Sequence, residues 1–192
     1  MLIVVEGNTD KDFIRLYFNF LKASNKILSN TEITFVTTGG KYNIKNEPRI
    51  NEEFEKGERV LIIFDKDDEQ SLQNIHKQLD LLDASLKYKC EIFLIPNNQD
   101  IGNLEILLEK IAKEKCILKC FDAYEKCIKE VQSVNSAIKL PAKKSKVFAY
   151  LSSFGFKNGN NNFHLDESML DLQSPYLENL KNFLIGKMTQ VS

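Results

Sequence analysis

Apolar positions in this chain follow two alternating rhythms. Four short runs are nearly continuous: "LIVVE" at 2–6, "EITFVTT" at 32–38, "RVLIIFD" at 59–65 and "CEIFLIP" at 90–96. Each has strand length and carries β-branched residues, as a strand buried on both faces does. Between them the rhythm becomes helical. Phe13, Ile14, Tyr17, Phe18 and Leu21 lie on one face of a first helix, with Thr9 expected as its N-cap and Asp10 and Asp12 in its first turn. Leu72, Ile75, Leu79, Leu82 and Leu86 do the same over 69–88, and "LEILLEKIA" continues the pattern at 104–112. The stretch from Ile44 to Lys56 is polar and weakly helical.

Strands that alternate with helices predict an α/β, three-layer Rossmann-like fold around a central four-stranded parallel sheet. Right-handed crossovers place the C-terminal ends of all its strands on one edge, where ligands of such sheets sit. Beyond residue 113 the strand signal stops. Helices are expected within 116–131, 141–156 and 174–188, the last with Ser174 as cap and Pro175 at its first position. The reading is therefore an α/β domain at 1–113 and a helical C-terminal extension at 114–192 packed on it. "KNGNNNFHL" reads as a loop.

Composition narrows the classes. The 192 residues are 43% hydrophobic and 28% charged with a net charge of −1, an ordinary globular balance. A polyanion would need a local basic patch or a metal ion to bind here. "MLIVVEG" has no basic leader, and no run approaches the roughly 20 apolar residues of a membrane span. A cytoplasmic protein with no membrane partner is expected. Cys116, Cys120 and Cys127 share one helical face, and with Cys90 they are expected to be buried free thiols. Zinc would want nearby histidines, and the chain has only His76 and His164.

The acids change the picture most. The first strand ends on Glu6 and the third on "FDKDDE". If these strands are neighbours, Glu6 and Asp65 lie side by side. Residues two apart in an extended segment point the same way, so Asp65 and Asp67 can face one site. Carboxylates gathered on one edge repel unless a cation lies between them. A hard divalent ion with oxygen ligands meets that need, and Mg²⁺ commonly takes one or two carboxylates plus substrate phosphates.

"IVVEGNTDKDFI" followed by "VLIIFDKDDE" resembles the TOPRIM domain, the metal-binding module of topoisomerases and primases that also occurs in OLD-type nucleases. That pattern is a strand ending in Glu-Gly and a later strand ending in Asp-x-Asp, here Glu6-Gly7 and Asp65-Lys66-Asp67. "FLIPNNQDIGNLEILLEKI" is similar to small stand-alone TOPRIM proteins related to those nucleases, and the likeness spans roughly residues 1 to 112. It implies Mg²⁺-dependent phosphodiester chemistry, with Mn²⁺ as a substitute. Asp65 and Asp67 would be metal ligands, and Glu6 a ligand or the proton-transfer group. OLD-type sites add a further acid, for which Glu105 is the natural candidate and Asp68 a weaker one. They also add a late lysine. "LPAKKSKVFAYL" offers Lys144 and Lys146 on a helix start, both open as the cation that offsets charge on the reacting phosphate.

The resemblance implies DNA or RNA as substrate. There is no ATPase motif, so ATP-driven action would need a separate partner chain, and a homodimer stays open. A non-catalytic TOPRIM-like module that binds a nucleotide, nucleic acid or protein is the alternative. A phosphoacceptor receiver fits less well: it expects an acidic pair after the first strand, a lone Asp after the third and a Lys after a fifth. Weaker signals have bland readings. Gly39-Gly40-Lys41 reads as a tight turn without Walker A spacing. Asp10 and Asp12 read as first-turn helix acids, Asp10 with a secondary role near a metal. Asn97, Asn98 and Asp100 read as Asx turns. His76 reads as a surface residue and His164 as a loop residue.

Overall fold

Leu2, Ile3, Val4 and Val5 are at most 2% exposed, a degree of burial that a strand reaches only when both of its faces are covered. In the computed structural model, which describes residues 1–27, 32–40, 42–156 and 165–188, they form β1 (Leu2–Val5). Lys41, His164 and most of the expected "KNGNNNFHL" loop lie outside the described residues. With β2 (Thr34–Thr37), β3 (Val60–Asp65) and β4 (Glu91–Ile95), β1 makes a parallel sheet ordered β2-β1-β3-β4. In register, Val5 is paired with both Thr37 and Ile63, and Asp65 with Ile95. The two central strands are β1 and β3, so their acid-bearing ends are adjacent. The class is α/β with an all-parallel sheet, as the alternating pattern implies.

Alternation along each strand divides the core between the two faces. Leu2, Val4, Ile62, Phe64 and Leu94 meet Ile50 of α2 (Arg49–Glu55) and Ile75 and Leu79 of α3 (Ser71–Leu82). Ile44, in a short 3-10 turn before α2, is fully buried there, and its N–H donates to the buried Gln78 side chain at 3.1 Å. On β4, Phe93 lies on the opposite face and packs against Phe183 of α7 (Glu178–Met188) with ring centroids 5.3 Å apart. The buried stripe of α1 (Asn8–Ala23) is Phe13, Ile14, Tyr17, Phe18 and Leu21, as its spacing predicts.

Three local expectations are corrected. The N-cap of α1 is Gly7, not Thr9, because Asp10 reaches back to the Gly7 N–H at 3.0 Å. Helix α3 stops at Leu82, earlier than the apolar spacing through Leu86 suggests. There Asp83 turns extended and accepts from the Ser85 N–H at 2.7 Å, and Leu86 is buried from a separate 3-10 turn. Ser174 caps a 3-10 turn containing Pro175, with α7 beginning only after it.

The chain divides into two units, 1–107 with 172–192, and 108–171. The sequence pattern places the division at 113; here the last helix counts with the sheet. The boundary falls within α4 (Leu104–Ile111), and the second unit contains α5 (Lys115–Val134) and α6 (Ser145–Ser152). It is closed at a neck. Ala112 and Leu170 form an antiparallel bridge, flanked by Lys113 N–H to Met169 O at 3.0 Å and Asp171 N–H to Ile111 O at 2.7 Å. Tyr150, 2% exposed, donates its hydroxyl to Met169 O beside that neck. Cys90 is buried as expected, but Cys116, Cys120 and Cys127 are exposed. Their spacing does put them on one helical face; that face points outward, and α5 buries only Leu118 fully.

Candidate functional site: carboxylates at the strand ends

Glu6 is the first residue beyond β1, and its position is fixed from both sides. Its carbonyl accepts the Gly39 N–H at 2.9 Å, and its side-chain Oε1 accepts the Asp65 N–H at 3.2 Å. The carboxylate therefore ties the end of β1 to the end of β3. Gly7 follows because the chain turns here against Asp10: a Cβ at Gly7 would sit 3.2 Å from Asp10 Oδ2.

Asp65 closes β3. Its Oδ1 accepts the Leu104 N–H at 3.0 Å, a donor that the start of α4 cannot satisfy within its own helix. Glu105 follows in the first turn of α4, where the helix dipole favours an acid. The β4–α4 loop that sets this contact is tightly held. Lys66 N–H donates to Ile95 O at 2.8 Å, Gly102 N–H donates to Lys66 O at 2.8 Å, and the Lys66 ammonium donates to Gln99 O at 2.7 Å. Asn97 accepts from the N–H groups of Gln99 and Asp100, the Asx turn expected of this loop, whereas Asn98 accepts from the Leu94 N–H four residues back and Asp100 from the Asn97 side-chain amide.

Burial pushes the Asp65 carboxyl up to about 8, and repulsion from Asp10, Glu6 and Glu105, in that order, adds to it; only the Leu104 N–H pulls the other way. Asp65 thus stands in a field made by three other carboxylates. Of the expected residues, Glu6 and Glu105 lie near enough to Asp65 for their charges to raise its carboxyl. Asp67 is exposed, because β3 ends at Asp65 and the two-residue alternation lapses beyond it. Asp68 serves the start of α3, accepting from Gln70 N–H at 2.8 Å and from the Ser71 hydroxyl at 3.2 Å. Gly39 and Gly40 form a tight turn with φ of 69° and 134°, conformations that favour glycine. His76 is half-buried and lines a shallow surface pocket with Lys77, Asp80 and Tyr88.

The lysines belong to the second unit. Lys144 is exposed at the N-cap of α6. The Lys146 ammonium lies 2.7 Å from Asp122 and 3.2 Å from Glu109. Desolvation pulls it down, but hydrogen bonds to Asp122 and Glu109 outweigh that and hold it above its usual value. The residue that sequence reasoning underweights is Asp10. It caps α1 and is the strongest charge acting on Asp65. Its signal is present in the sequence, four residues after Glu6 and one helical turn into α1.

Among the described residues, no three His, Cys, Asp or Glu side chains are close enough together to form a ready-made metal cage. The donor chemistry nevertheless fits a hard divalent ion. Asp65, Glu6, Asp10 and Glu105 offer only carboxylate oxygens, and the repulsion of Asp65 by the other three is what a cation would relieve.

The chain belongs to the family described as protein of unknown function DUF3226, whose family model matches residues 1–187. No curated protein and no solved structure matches it.

Proposed function

We propose that this DUF3226 chain binds a divalent cation, Mg²⁺ or Mn²⁺, at its strand-end carboxylates and is a metal-dependent phosphoryl-transfer enzyme, a TOPRIM-like nuclease acting on DNA or RNA. One observation carries the reading: Asp65, at the end of a central strand, has its carboxyl raised to about 8 by burial and by Asp10, Glu6 and Glu105. A half-buried acid repelled by three neighbouring acids is costly to keep, and perturbed carboxyls of this kind cluster at functional sites.

Asp65, Glu6, Asp10 and Glu105 are the residues that would hold the ion, with Asp67 in the loop beyond as a further candidate. When bound, the ion supplies positive charge to a phosphate and its attacking water. The protein groups have separate tasks. The Leu104 N–H orients Asp65 through Oδ1 and leaves Oδ2 for a ligand. Glu6 holds the Asp65 main chain through Oε1, and its carboxylate would also accept a proton or help to hold the ion. Asp10 is fixed by the Gly7 N–H, so its charge stays close to the site without a long side chain to order.

The test is nicking of supercoiled plasmid and cleavage of single-stranded oligonucleotides with Mn²⁺ or Mg²⁺. Wild type is expected to cleave, and Glu6→Ala and Asp65→Ala to lose at least tenfold. Cleavage that survives both substitutions rejects this site. Mn²⁺ binding by wild type with no cleavage of any nucleic acid favours the alternative, a non-catalytic metal-bearing module.

A further inference from the structure

Helix α5 is amphipathic, yet it buries only Leu118 fully. Ile117, Phe121 and Ile128 on its inner side are half-buried. Next to them a second apolar stripe runs the length of the helix in the open: Cys116, Cys120, Tyr124, Cys127, Val131 and Val134. Tyr124 is 52% exposed, Val131 42% and Val134 86%. At 100° per residue all six fall within an arc of roughly 80°. From Cys120 onward the steps are four, three, four and three, the repeat by which one helix packs on another.

We propose that this stripe is a homodimer interface, in which α5 packs antiparallel against α5 of a second copy about a two-fold axis near Tyr124 and Cys127. The repeat calls for a helix, and a helix with the same repeat meets the need in a closed, self-complementary pair. Side-chain size sets the direction. Antiparallel pairing puts the large Tyr124 against the partner's small Cys127, and Cys120 against the partner's Val131. Parallel pairing would stack Tyr124 on its own counterpart and leave the cysteine layers thin. Charge agrees: Lys119 and Glu130 are exposed on the solvent-side border of the stripe, and the register that sets Tyr124 against Cys127 brings Glu130 of one copy within two residues of Lys119 of the second copy along the helix axis. The helix has 20 residues and is about 30 Å long, so a single helix pair is a small interface beside the ~800 Å² per partner of stable complexes. The dimer should therefore dissociate on dilution. The inference is independent of the metal reading.

Sedimentation velocity of the full chain, from low to high micromolar concentration, tests it. Wild type should shift from monomer to dimer, and Tyr124→Glu should stay monomeric with an unchanged circular dichroism spectrum. A second measurement uses a chain with Cys116→Ser, Cys127→Ser and Val131→Cys. A short bis-maleimide should link Cys120 of one copy to position 131 of the other, because on one helix these sites lie about 16 Å apart. Monomer at every concentration, a dimer that survives Tyr124→Glu, or absence of that crosslink would overturn the proposal.

Discussion

The main-chain N–H of Asp65 donates to Glu6 Oε1 at 3.2 Å, so one acid at the end of β1 is a structural tie for the acid at the end of β3. Substitutions at Glu6 can separate the two roles. Glu6→Gln keeps an acceptor for the Asp65 N–H and should cost under about 1 kcal/mol of stability, whereas Glu6→Ala leaves that N–H without it and should cost about 1–2 kcal/mol. Both should weaken Mn²⁺ binding at least tenfold. Thermal melts and Mn²⁺ titration check this; equal Mn²⁺ affinity in Glu6→Gln would remove Glu6 from the ligand set.

Asp65 should give the metal-free protein an unusual pH profile. Its folded carboxyl is raised to about 8, while an unfolded Asp stays near about 4. Between those values the folded state holds the extra proton, so the stability contribution of this group is greatest below pH 4. It falls as pH rises to about 8 and levels off beyond. In EDTA, melting temperature should drop across this window by several degrees more in wild type than in Asp65→Asn, and millimolar Mn²⁺ should restore it. Parallel profiles for the two proteins would mean that Asp65 is already ionised at neutral pH.

Asp10 is the strongest neighbour of Asp65 and also the cap of α1. Asp10→Asn keeps an acceptor for the Gly7 N–H and should be nearly neutral in stability, while Asp10→Ala should cost about 1 kcal/mol. Both should lower the titration midpoint of the Asp65 carboxyl, followed by carbon-13 NMR. A midpoint unchanged in both variants would show that Asp10 does not act on Asp65.

Gly102 leaves the β4–α4 loop no room. An added Cβ would meet the Pro96 ring at 3.1 and 3.3 Å and Ile106 Cδ1 at 3.2 Å. Gly102→Ala should destabilise by about 1–3 kcal/mol. It should also speed hydrogen exchange at the Leu104 amide, because the same loop positions that N–H on Asp65. Unchanged exchange at Leu104 would show that the loop absorbs the methyl without moving the start of α4.

The sheet was legible because its strands are short and β-branched, with the two central ones apolar on both faces while β2 leaves Thr34 and Thr37 exposed, and the crossover rule then puts Glu6 and Asp65 on one edge. Glu105 was legible as the acid that opens the next helix on that edge. Other features depend on tertiary facts that periodicity does not carry. The spacing of Cys116, Cys120 and Cys127 tells that they share a face but not that the face is open. Asp67 follows Asp65 by two, yet the two-residue rule holds only while the strand lasts. Thr9 is a good cap by type, but Asp10 reaches Gly7 and starts the helix earlier. The last helix reads as one more member of a helical tail until Phe183 is seen on Phe93.

The Ala112–Leu170 bridge makes the second unit a loop drawn out of the chain and tied at its base. Residues 111 and 171, far apart in sequence, are joined by a hydrogen bond of 2.7 Å. Such a base is where chains tolerate gain or loss of a whole module, because the ends left behind already meet. A gene could have acquired or exchanged the segment between them in one event, with the sheet and its acids inherited intact. Variation in length among kin of this chain should therefore concentrate between those two residues.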